Sequence, residues 1–174
     1  MSAINAARVA VILAALTATP AFAEWWASVG YGPASDGGGT SIAYSGKSLD
    51  NWGVSIGAVL NSEFNEDVLD YPVPHNDYKN LGTKRTGSTL GIDALYFFGD
   101  NPKLRTYAGV GLYFTTRKEV AQSNVTGWYY TQSDKSTSLL SAELGVQLIN
   151  DSGLILGMGL HSVRGPTISI GTAF

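Results

Sequence analysis

Residues 140–160 read LSAELGVQLINDSGLILGMGL, and the fold is decided there. Leu140, Ala142, Leu144, Val146 and Leu148 alternate with Ser141, Glu143, Gly145 and Gln147. After Ile149–Gly153 the alternation resumes, with Leu154, Leu156, Met158 and Leu160 set against Ile155, Gly157, Gly159 and His161. A period of two places alternate side chains on opposite faces of a strand, whereas a helix repeats every 3.6 residues. Asn150, Asp151, Ser152 and Gly153 between the runs are turn formers, so the stretch is a β-hairpin. One face is aliphatic. The other is glycine with scattered polar groups.

Working outward, the same alternation recurs over Trp25–Tyr31, Ile42–Tyr44, Trp52–Leu60, Leu90–Phe98, Leu104–Phe114 and Ile168–Phe174. That makes eight strands. The connections Lys47–Asp50, Gly99–Lys103 and Ile149–Gly153 are short and rich in Asp, Asn, Gly, Ser or Pro. On the opposite rim Asn61–Ser88 and Arg117–Lys135 are long, Tyr31–Gly39 intermediate and Ser162–Pro166 short. Short turns on one rim and longer loops on the other is the layout of an outer-membrane barrel. An even strand number puts both ends of the barrel on the short-turn rim.

The chain of 174 residues has 21 glycines, no cysteine and only 14% charged residues. Without cysteine there is no disulfide framework and no thiolate chemistry. With 11 Lys+Arg against 14 Asp+Glu, no basic face for nucleic acid is advertised. Residues 1–23 read as a cleaved signal peptide: Arg8, the apolar run Val9–Ala18, and Ala21-Phe22-Ala23 in the A-x-A form. Residues 24–174 then form the barrel domain. No later segment offers the roughly 18 continuous apolar residues of a membrane helix.

A soluble eight-stranded barrel shows the same period, so the second face must discriminate. If the aliphatic rows lined an interior, the other rows would face water and carry many Lys and Glu. Instead they are mainly Gly, Ser and Thr, with isolated Asp93, Arg105, Glu143, Gln147 and His161. Such a face suits a cramped lumen, and the aliphatic rows then face hydrocarbon. Backbone pairing in lipid also requires closure. Trp25, Trp26, Trp52, Tyr96, Phe97, Phe98 and Phe174 map to the short-turn rim, and Tyr31, Tyr113, Phe114 and Trp128–Tyr130 to the other. These positions suggest two interfacial girdles. The expected fold is all-β: an eight-stranded antiparallel up-and-down transmembrane β-barrel.

The A-x-A leader, the eight amphipathic strands and the ending Ile168-Ser169-Ile170-Gly171-Thr172-Ala173-Phe174 resemble the small OmpA/OmpX-type outer-membrane barrels of Gram-negative bacteria. Tyr107-Ala108-Gly109-Val110-Gly111-Leu112 is similar to that family's glycine-bearing strands. The resemblance implies residence in the outer membrane among its lipids and lipopolysaccharide. It also implies that Phe174 is an assembly signal read by the barrel-assembly machinery.

Taking Leu148 opposite Leu154 sets Ser141 opposite His161, with Glu143 close by on the inward face. A hydroxyl, an imidazole and a carboxylate are the ingredients of an activated nucleophile. Some members of the resembled family act on lipid A acyl chains, so Ser141, His161 and Glu143 are the candidate catalytic residues. The adjacency of His161 and Ser162 departs from a His-x-Ser pattern, since neighbours on a strand point to opposite faces. Asp93, Arg105 and Glu143 are expected to share the lumen as a charge network, or else as the constriction of a narrow pore. In 61–88 the acids Glu63, Glu66, Asp67, Asp70 and Asp77 lack the spacing of a calcium loop, and a solvated mobile loop is expected. No cofactor or metal motif appears. The expectation is a monomer with a structural or surface-interaction role, presenting loops 61–88 and 117–135 to an extracellular ligand.

Overall fold

The computed structural model describes residues 24–32, 39–48, 51–60, 66–85, 88–99 and 101–174. The leader 1–23 and the loop segments 33–38, 61–65 and 86–87 lie outside the described residues. Among the described residues ten strands follow in chain order: β1 (Glu24–Gly32), β2 (Gly39–Lys47), β3 (Trp52–Leu60), β4 (Val68–Leu69), β5 (Tyr78–Arg85), β6 (Thr89–Phe98), β7 (Leu104–Ser123), β8 (Tyr129–Ile149), β9 (Leu154–His161) and β10 (Gly165–Ala173). Eight of them, all but β4 and β5, pair antiparallel with their neighbours round a closed ring. β10 returns to β1 with Glu24 opposite Ala173, so both ends of the barrel sit on the short-turn rim. No sheet edge is left open in the wall, which is the condition for crossing lipid with strands.

The outward rows are aliphatic and exposed. Leu140 is 84% exposed, Val110 68% and Ile168 66%, with Val29, Ile42, Leu144, Leu156, Met158, Leu160 and Ile170 in the same belt. A water-facing exterior of this composition would aggregate. Against hydrocarbon it is the stable surface. The molecule is therefore an eight-stranded transmembrane barrel of the outer membrane, with the short-turn rim facing the periplasm. On that rim Trp25 stacks on Tyr44 at 5.9 Å, and Trp52, Tyr96 and Phe98 form an edge-to-face chain at 5.0 Å per step. These rings are the lower girdle.

Three aromatics expected in the girdles are inside instead. Trp26, Phe97 and Tyr113 are buried in the lumen, because each follows or precedes an outward residue by one position. Trp26, Leu95, Phe97 and Tyr107 fill the periplasmic half, with Trp26 edge-on to Phe97 at 5.7 Å. Glycine makes room for two of the rings. Tyr107 lies over its register partner Gly145, and Tyr113 over Gly91; a Cβ on either glycine would sit 2.3 Å from the ring. The inward glycines follow from this crowding.

The hairpin that decided the fold is present with a register two residues from the expected one. Leu148 pairs with Leu156, and Glu143, not Ser141, pairs with His161. The turn chemistry sets this. Ile149 pairs with Ile155, the Asn150 side-chain oxygen accepts from the Ser152 and Leu154 amides at 3.0 and 2.9 Å, and Gly153 takes φ +81°. That is a three-residue loop closed by a left-handed glycine.

The two long loops are also corrected. β7 and β8 run 20 and 21 residues against 8–10 for the other wall strands, and continue as a paired hairpin beyond the rim. β5 adds to the outer edge of β7, and β4 pairs in parallel with the start of β8. Where loops were expected, 68–69 and 78–85 thus add strands to the β7–β8 hairpin above the barrel, while most of 66–85 stays exposed to solvent.

Candidate functional site

The lumen is organised around the last extracellular turn. His161 ends β9, and its Nδ1 accepts the backbone N–H groups of Val163 and Arg164 at 3.0 and 2.9 Å. A nitrogen accepting two donors carries no proton, so the hydrogen-bond pattern assigns the ring proton to Nε2. Nε2 lies 3.2 Å from both carboxylate oxygens of Asp93 and donates to them. Asp93 also accepts from Ser141 Oγ at 2.5 Å and from the Tyr113 hydroxyl at 2.8 Å. One carboxylate thereby collects three donors from β7, β8 and β9.

The turn places Arg164 into the lumen, where it is almost fully buried. Its Nη2 donates to Glu143 Oε2 at 2.8 Å and lies 3.8 Å from Asp93, while Nη1 donates to Ser28 Oγ at 3.2 Å. Tyr107 donates to the other Glu143 oxygen at 3.3 Å. A planar guanidinium between two carboxylates is the arrangement that a low-dielectric cavity tolerates, since each charge has a partner.

The sequence candidates are therefore only partly brought together. Asp93, Glu143, Ser141 and His161 meet in one buried cluster. Arg105 does not join them. It pairs with Glu24 at the periplasmic mouth, beside Lys47, which stands over the Phe97 ring at 5.7 Å. The register puts Arg105 opposite Gln147, four residues along β8 from Glu143, which is too deep toward the periplasm to reach the cluster. Arg164 takes the expected role of the bridging cation. It was missed because it lies in a connection rather than a strand. The signal was charge balance: two inward carboxylates next to a turn that carries an arginine.

The geometry of the cluster differs from that of a catalytic triad. A nucleophilic serine must give its proton to the imidazole. Here Ser141 donates to Asp93, and both ring nitrogens of His161 are committed elsewhere. Ligand atoms of Asp93, Glu143 and His161 lie within 4.8 Å of one another, close enough for a cation. The donor set fits one poorly, because Nε2 bears a proton and the Arg164 guanidinium already occupies Glu143. The arrangement ties the end of β9 and the β9–β10 turn to β1, β6 and β8.

Above the rim, segment 66–77 packs on the β7–β8 hairpin. His75 Nε2 and Ser123 Oγ are hydrogen-bonded at 3.0 Å, the Asn124 side chain donates to Asp77 at 2.6 Å, and Tyr71 meets Tyr130 edge-on at 5.5 Å. Lys118 pairs with Asp70. Val120, Ala121, Ser123 and Tyr130 are buried by these contacts, while Val125 and Trp128 at the tip are 69% and 61% exposed.

No protein-family model matches the chain, and no curated protein matches it. Among solved structures the fold is similar to Ail, the attachment invasion locus protein of Yersinia pestis, at 17% identity over 87% of this chain and 97% of that one, TM-score 0.48. It is also similar to Ail in complex with the heparin analogue sucrose octasulfate, at 14% identity over 86% and 96%, TM-score 0.47. Neisserial surface protein A is similar at 13% identity over 87% and 95%, TM-score 0.49. The small outer-membrane barrel architecture itself rests on this chain's own closed register and its exposed aliphatic belt.

Proposed function

We propose that the barrel is an anchor and that the β5–β7–β8 sheet above it is the working surface, a stiff platform for contact with a partner outside the cell. The observation that carries this is the length of β7 and β8. They continue past the rim by about ten residues, or roughly 30 Å at a strand's rise, and remain paired and backed by 66–77. A surface held in one shape loses little conformational entropy on binding. Its exposed tip carries Val125 and Trp128, and tryptophan is a residue type enriched at binding hot spots. Outer-membrane lipids, lipopolysaccharide included, are the partners of the aliphatic belt, and Phe174 is the residue offered to the barrel-assembly machinery.

The test compares the full protein with a version in which 117–135 is replaced by a short turn, both in lipid nanodiscs. Each is applied to an array of extracellular proteins and polysaccharides, heparin included. Binding by the full protein that disappears on trimming, while the heat-modifiable gel migration of a folded barrel persists, supports the reading. Equal binding by both forms, or binding by neither, overturns it.

A further inference from the structure

β8 and β9 stop pairing at Glu143 and His161, yet β8 runs on upward while β9 turns back into β10. Where they part, the wall has a groove of about 410 Å³ lined by Ala142, Leu144, Leu160, Ser162, Gly165 and Pro166, with Glu143 and His161 at its base. From this groove we infer a site for one acyl chain of a membrane lipid, a reading independent of the extracellular platform.

The chemistry of the walls selects the occupant. Leu144 and Leu160 face each other across the two strands and belong to the hydrocarbon-facing belt, so the groove opens sideways into lipid beside the extracellular turn. Pro166 contributes a ring and no N–H, one polar group fewer on a wall in contact with hydrocarbon. The base is polar but engaged inside the lumen, with His161 on Asp93 and Glu143 on Arg164. An apolar guest thus meets no unpaired charge. At the upper lip Ser162 Oγ accepts the Ala142 N–H at 2.9 Å, closing the amide that β9 leaves behind. Its own proton stays available to an ester or phosphate oxygen of the lipid's polar end. The groove is open on its outer side, so a chain lying in it gains dispersion contacts along its walls while its other side stays against the bilayer.

The experiment is native mass spectrometry of the detergent-purified barrel titrated with palmitoyl-oleoyl phosphatidylethanolamine, with sodium palmitate in a parallel arm. Ala142→Trp and Leu160→Trp fill the groove, and Leu148→Trp adds the same bulk to the belt elsewhere. Heat-modifiable migration confirms that each variant folds. The expected result is saturable retention of one phospholipid by the wild type and by Leu148→Trp. Retention by the two groove variants should be weaker by about tenfold, the equivalent of some two methylenes of lost burial. Equal retention by all four proteins overturns the site. So does retention of palmitate alone, which would assign the groove to a free fatty acid rather than a membrane lipid.

Discussion

Arg164 shows how much one side chain can carry when it is the bridging cation of a closed space. Its guanidinium reaches Glu143, Asp93, Ser28 and Ser55, which stand on four different strands. Removing it leaves Asp93 and Glu143 buried without that partner, and breaking a buried ion pair on one side costs about 3–5 kcal/mol. Arg164→Ala should therefore lower the urea midpoint of the barrel in detergent far more than Arg105→Ala. The Arg105 pair with Glu24 is itself largely buried at the periplasmic mouth, but Arg105 keeps more exposure than Arg164 and serves one carboxylate where Arg164 serves two. Equal midpoints for the two variants would show that the mouth, not the turn, carries the network. The neighbouring Ser141 gives a second residue-scale test. Since its proton goes to Asp93 rather than to His161, overexpression should leave lipid A mass spectra unchanged. A gained or lost acyl chain that vanishes in His161→Ala would contradict this assignment of the hydrogen bonds.

At the scale of elements, the strands were legible and their offsets were not. Alternation marks the strand faces with no knowledge of neighbours, which is why Trp25 and Ala27 point out and Ser28 points in, as their spacing requires. The offset between β8 and β9 is invisible to that signal, because a two-residue slip preserves both faces. It is fixed by Asn150 and Gly153, whose loop chemistry outweighs any matching of leucines. Gly153→Ala accordingly forces a Cβ into a left-handed position and within 2.6 Å of the Ala173 carbonyl. A loss above about 1 kcal/mol is expected in urea unfolding, and an unaffected midpoint would mean the loop is not what holds the register. The upper halves of β7 and β8 were read as loops for a related reason. Arg117–Lys135 is polar on both faces, so it lacks the aliphatic row that marks a strand in lipid. What orders it is pairing with β5 and packing against Tyr71 and His75, contacts between segments roughly 50 residues apart.

For the whole molecule, the question is whether a barrel with a polar lumen conducts. Two layers close it in series. Near the periplasm, Trp26, Leu95, Phe97 and Tyr107 pack ring against ring, with glycine beneath the Tyr107 ring. Toward the outside, Tyr113, Asp93, Glu143, His161 and Arg164 fill the cross-section, and a Cβ on Gly57 would already meet the Tyr113 hydroxyl at 2.6 Å and the Arg164 chain at 2.8 Å. Eight strands leave space for side chains and little else. The aromatic layer is a barrier to ions because it offers no hydration in exchange for the water they would shed. The polar layer is a barrier because its carboxylates are already paired with His161 and Arg164. Opening either layer alone leaves the other shut. Wild type, Arg164→Ala and Phe97→Ala should therefore each be silent in planar bilayers, whereas the double variant should show small steps. Conductance in Arg164→Ala alone would mean that the aromatic layer does not seal. Silence in the folded double variant would mean that Trp26 and Tyr107 close the periplasmic half without Phe97.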